Sequence, residues 1–148
     1  MPDVSPAFVS SRRWVYYAAC AWALCFGAPH TWWALGWPFG FPGGPANHHL
    51  LMASWWRYLY DVLVILLSIL GAGVALALRP PASTRFQRMF TAMAWIAAAL
   101  LTVRGVAGLI VDGRADPIWW PTFLAGGLLF GTIARLSRAQ DLPPMAPT

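Results

Sequence analysis

The chain contains no lysine and no glutamate. Its charged residues make up 10% of 148 residues, against about 25% in soluble domains. Water is therefore not expected to be its main solvent. The net charge of +5 comes from arginine alone, and no basic cluster is laid out along an exposed helix, so nucleic acid is not an expected partner. Arginine without lysine, beside abundant Ala, Gly and Pro, is what a GC-rich genome encodes, which points to a bacterial source. Cysteine is scarce too. Cys20 and Cys25 stand five residues apart, on different faces of a helix, so neither a CxxC redox centre nor a zinc site is expected, and both read as small apolar packing residues. His48 and His49 are adjacent in what reads as a loop, and neighbours do not readily chelate together with His30 and an aspartate. Neither a metal nor a cofactor is expected.

What the chain has instead is apolar length: 59% of its residues are hydrophobic. A membrane span takes about 20 mostly apolar residues, and four stretches meet this: 14–35, 56–78, 90–111 and 118–136. The expected fold is all-α, an integral membrane four-helix bundle forming a single domain over 1–140, with a Pro-rich, disordered and dispensable tail at 141–148. Arg12 and Arg13 precede the first span, Arg79, Arg85 and Arg88 fill the second link, and Arg135 and Arg138 follow the fourth. The positive-inside bias then puts both termini and the second link in the cytoplasm of a bacterial inner membrane. Ser11-Arg12-Arg13 resembles the start of a twin-arginine export signal, but no small-residue cleavage site follows, so an uncleaved span is expected. Gly127 and Gly131 form a GxxxG, and Gly105 and Gly108 stand three apart. Packing inside one bundle is the first reading of both, and a homo-oligomer face the second.

Ionisable residues inside a bilayer are costly, so each is a functional candidate. His30, Asp61 and Arg104 all fall within roughly 7 to 11 Å of the expected outer boundary at 1.5 Å per residue, and Asp112 and Asp116 cap the same end. Seven of the ten tryptophans, Trp32, Trp33, Trp37, Trp55, Trp56, Trp119 and Trp120, gather there with Tyr58 and Tyr60. An interfacial belt explains some of them, yet a belt is expected at both interfaces. Blander roles remain open: Arg57 and Asp61, spaced i to i+4, would neutralise each other, Arg104 would be a counter-ion of Asp61 or Asp116, and His30 a hydrogen-bonded packing residue.

Aromatic faces attract desolvated cations, and a carboxylic acid in low dielectric tends to stay protonated and able to donate. Together these features describe a protonation-initiated terpene cyclase or isomerase acting on a membrane-dissolved isoprenoid. Asp61 is the first choice for the acid and Asp116 the second. His30 or Asp116 would orient that acid or act as terminal base, with Arg104 beside them, and Trp33, Trp56, Trp120, Tyr58, Trp32 and Trp119 would form cation-stabilising walls.

The stretch His30-Thr31-Trp32-Trp33-Ala34-Leu35-Gly36, then Arg104 with Gly108, then Asp116 through Pro121, resembles the pattern of an uncharacterised family of small four-helix bacterial membrane proteins. That family is in turn similar to the membrane-bound terpene cyclases of drimentine-type pathways, which cyclise a farnesyl chain attached to an indole diketopiperazine. The resemblance implies that an acid protonates the terminal alkene and that a base or water ends the cation cascade. Asp61 is not part of that pattern, which leaves the acid open between Asp61 and Asp116. The expected partners are membrane lipid and a hydrophobic prenylated small molecule. Two other readings fit the same residues: a small proton-coupled multidrug exporter using Asp61, and a non-catalytic membrane subunit for which the glycine surfaces matter and the carboxylates do not. Against the exporter, the carboxylate lies towards one face rather than at the midplane.

Overall fold

The computed structural model describes residues 6–41, 44–80, 84–111 and 118–140, and these are helical and connecting segments with no strand among them. Five helices follow in order: α1 (Pro6–Ala34), α2 (Gly44–Met52), α3 (Trp55–Ala77), α4 (Thr84–Val111) and α5 (Trp119–Gln140). Four of them fall on the four apolar stretches. The fifth, α2, corrects the reading of His48 and His49 as loop residues: Pro45, just after Gly44, suits a first helical turn because its missing N–H would be unpaired there anyway. The segment 141–148 and Asp112 and Asp116 lie outside the described residues.

Among the described residues two helices are long and apolar enough to cross a membrane: Trp55–Ala77, with an 18-residue window of mean hydropathy 2.3, and Arg85–Val111, with one of 2.0. Only 28% and 22% of these apolar windows are buried within the chain. The other two long helices, of 29 and 22 residues, mix their apolar residues with Trp, Pro, Gly and Thr.

α1 ends in a Schellman arrangement. The Trp37 N–H donates to the Trp32 carbonyl at 2.9 Å and the Gly36 N–H to the Trp33 carbonyl at 3.0 Å. Gly36 takes φ +89°, which a residue without Cβ adopts freely. α3 starts from Ser54, whose carbonyl accepts the Arg57 N–H at 3.0 Å, and it stops before Pro80, which disfavours helical geometry in the residue ahead of it.

The chain divides into two compact units, Cys20–Gly73 and the combination of Met1–Ala19 with Val74–Thr148. In the second, α4 and α5 meet along small residues. A Cβ added at Gly127 would stand 2.4 Å from Thr102 Oγ1 and 3.2 Å from the Ala98 carbonyl and the Thr102 amide, and one added at Gly105 would stand 2.7 Å from Leu124 Cδ2. The glycines thus let two backbones approach within one chain. Gln87, buried on α4, donates from Nε2 to the Ser137 carbonyl of α5 at 3.2 Å, and Ile133 and Ala134 are fully buried. In the first unit, Gly27 of α1 meets Ser68 of α3, whose Cβ would be 2.7 Å from an added methyl.

Gly127→Ala is expected to cost about 1–3 kcal/mol, because backbone atoms in its path cannot rotate away. Gly131→Ala is expected to leave stability unchanged, since its Cβ would meet Ala98 at an ordinary 3.8 Å. Thermal unfolding of the two purified variants in detergent checks the contrast.

Candidate functional site

The Cys20–Gly73 unit holds the buried ionisable residues His30, His48 and Asp61. On α1, residues 30 and 33 are three apart and share a face; on α3, residues 57, 60 and 61 do the same. His30 and Asp61 meet between these helices, Nδ1 to Oδ1 at 2.7 Å, with both side chains buried and Asp61 fully so. The second carboxyl oxygen, Oδ2, is buried and has no hydrogen-bond partner. A buried polar atom in this state is costly and needs an explanation. The pair admits several proton placements. His30 Nδ1–H donates to a carboxylate, or a protonated Oδ1 donates to Nδ1 in the other tautomer, and a protonated pair has its extra proton on Oδ2 or on the imidazole Nε2.

Arg57, although one turn from Asp61, makes no ion pair with it; the carboxyl is taken by His30. The guanidinium lies over the Phe41 ring, 5.3 Å from its centroid, and over the Tyr60 ring at 5.1 Å. These contacts close into a cycle. His30 meets Trp33 edge-on at 4.8 Å, Trp33 meets Phe41 at 5.1 Å, and Tyr60 returns to His30 at 5.9 Å. Trp33 is buried and donates from Nε1 to the Phe39 carbonyl at 3.0 Å. His48 of α2 is buried against Phe41 at 5.0 Å, and its Nε2 lies 3.1 Å from the Trp33 carbonyl. A carbonyl only accepts, so Nε2 carries the proton and α2 is tied to the end of α1.

Of the expected aromatic walls in this unit, Trp33 stands beside the pair. Trp56 does not: it is 64% exposed and stacks on Trp55 at 3.8 Å, since five residues place it about 140° round the helix from Asp61. Trp32, two residues from His30 and so on the far side of α1, is also exposed and packs on Phe39. Tyr58 is exposed as well. Tyr60 packs on His30, while Phe41 and His48 pack behind Trp33.

Arg104, Trp119 and Trp120 belong to the other unit. Arg104 is exposed and lies over Phe123, 5.1 Å from its centroid. Gly108 gives it room: a Cβ there would stand 3.2 Å from Arg104 Nη1 and 3.1 Å from Trp120 Cβ. Trp120 is half-buried, and its Nε1 has no hydrogen-bond partner. Three residues of the resemblance pattern, Arg104, Gly108 and Trp120, therefore pack together.

His30→Ala strands the buried Asp61 carboxyl without its partner and is expected to cost about 3–5 kcal/mol, whereas Asp61→Asn, which keeps a hydrogen-bonding group at the same place, is expected to cost less than half of that. Unfolding midpoints of the two variants test this ranking. No protein-family model, curated protein or solved structure matches the chain.

Proposed function

We propose that the protein is a multi-pass membrane enzyme of a bacterial inner membrane, a four-helix bundle with both termini cytoplasmic, which starts the cyclisation of a prenyl chain by protonating it. The membrane part of this reading is supported by where the apolar surface lies. α3 exposes Leu63, Leu66, Leu67 and Ile69, and α4 exposes Ile96, Leu100, Val103 and Ile110. Such long apolar surfaces exceed what soluble monomers leave in water, and lipid is the partner that covers them.

The catalytic part is carried by one observation: the buried His30–Asp61 pair leaves Oδ2 without a hydrogen-bond partner, while Trp33 and Tyr60 pack on the His30 ring. With the pair protonated, the Oδ2–H bond breaks as its proton adds to the terminal alkene. The π electrons form the new C–H bond and leave a tertiary carbocation. The carboxylate left behind is stabilised by the His30 Nδ1–H, which already holds Oδ1. Trp33, packed on the His30 ring, supplies an aromatic group that favours the cation. Loss of a proton from the final cation to the carboxylate restores the pair, and no net oxidant or cofactor is consumed. The similarity of that uncharacterised family to the drimentine-type cyclases suggests a farnesylated indole diketopiperazine as the substrate class.

Asp61→Asn removes the transferable proton while keeping the shape. Membranes carrying it are expected to lose at least 10²- to 10⁴-fold in turnover, as for general acids, while still binding substrate. Undiminished cyclisation would remove Asp61 from the chemistry. The unpartnered Oδ2 would also suit proton exchange for a cationic drug. Resistance to such drugs that depends on Asp61, without any cyclised product, decides for that second reading.

A further inference from the structure

Among its described residues, the unit that holds α4 and α5 has no carboxylate. Arg85 and Arg88 stand at the start of α4 and Arg135 and Arg138 at the end of α5, all four exposed. The 3.2 Å hydrogen bond from Gln87 to the Ser137 carbonyl brings these two ends together. Positive charge at one end orients a membrane protein, but orientation does not require that the guanidiniums share a side.

Two of them do share one. The buried Gln87 and Ser137 mark the lines along which the helices face each other. One residue further, at about 100° of rotation, come Arg88 on α4 and Arg138 on α5. Because the helices run antiparallel, the same step along each turns to the same side of the pair. Arg85 and Arg135, two residues before the contact, stand about 160° from it and point away from the seam. Trp95, seven residues beyond Arg88, returns to the Arg88 face. The convergence is seen directly, for the Arg138 guanidinium lies over the Trp95 ring, 5.9 Å from its centroid. On this side the seam continues along exposed Ala92 and Ala99 of α4 and half-buried Gly131 of α5, whose small side chains leave a shallow furrow beside the indole.

We propose that this furrow seats one anionic phospholipid of the cytoplasmic leaflet, with its phosphate between Arg88 and Arg138 and an acyl chain running past Trp95. Charge complementarity selects the occupant: two guanidiniums on one side, with no acid in the described part of their unit, call for an anion, and a guanidinium resting on a ring keeps its N–H edge for phosphate oxygens. The apolar furrow on the same face calls for a hydrocarbon chain on that anion, and basic sites between helices at the cytoplasmic end suit such headgroups. This rests on the membrane placement and orientation under Proposed function, but not on the proton transfer by Asp61.

The test uses the full-length protein purified in a non-ionic detergent, with phosphatidylglycerol and phosphatidylcholine of identical acyl chains as probes and native mass spectrometry to count the lipid retained. Wild type is expected to hold one phosphatidylglycerol at least about tenfold tighter than phosphatidylcholine, the scale of one charge-assisted hydrogen bond. Replacing both furrow arginines, Arg88→Gln with Arg138→Gln, is expected to bring that ratio close to one, and Arg88→Lys with Arg138→Lys to recover part of it. Arg85→Gln with Arg135→Gln removes the same charge away from the furrow and is expected to keep the preference. Circular dichroism and the unfolding midpoint verify that the variants are folded. Equal binding of both lipids by wild type, a preference that survives loss of Arg88 and Arg138, or an equal loss in the two glutamine pairs, which marks a response to net charge alone, would overturn the proposal. Carbonate extraction of the host membranes reads insertion and the Asp61→Asn turnover assay reads the cyclase proposal, so each reading fails by a measurement of its own.

Discussion

The hydrogen bond between His30 and Asp61 is the constraint around which the Cys20–Gly73 unit is arranged. Taking an acid fully out of water is tolerable only when a partner and good geometry replace the lost solvation. One oxygen has that partner at 2.7 Å and the other has none. The pair thus fixes α1 against α3 and leaves one oxygen in reserve. Gly27 serves the same approach, since a side chain there would meet Ser68.

The Trp33 carbonyl carries a second part of the architecture. It accepts the Gly36 amide, which ends α1, and the His48 imidazole, which brings in α2. A carbonyl has two lone pairs, and both are used. The same residue's indole donates to Phe39 and packs on His30 and Phe41. The end of a helix, the entry of the next one and the aromatic surroundings of the buried pair all converge on Trp33.

Much of this was legible in the sequence, and the limits have physical causes. Four long helices announced themselves through apolar length, and His30, Asp61 and Trp33 stood out because ionisable and indole groups at one depth are unusual. The i to i+4 spacing of Arg57 and Asp61 suggested an ion pair, but spacing along one helix cannot weigh a competitor from another, and His30 is that competitor. Trp56, Trp32 and Tyr58 were grouped with Asp61 by depth alone; rotation about the helix axis turns Trp56 and Trp32 away from it. His48 and His49 were read as loop residues, since nine helical residues give too short a periodic signal to stand out. Gly44 followed by Pro45 was the one local cue for it.

The five contacts that run from His30 through Trp33, Phe41, Arg57 and Tyr60 return to their starting point. In an open chain of neighbours, an end member can shift alone; in a closed one, every member is restrained from two sides. Energetic effects within such a circuit do not sum, because removing one link already loosens both of its neighbours. The circuit is therefore expected to behave as one cooperative element, whose failure at any link is felt at the buried His30–Asp61 hydrogen bond.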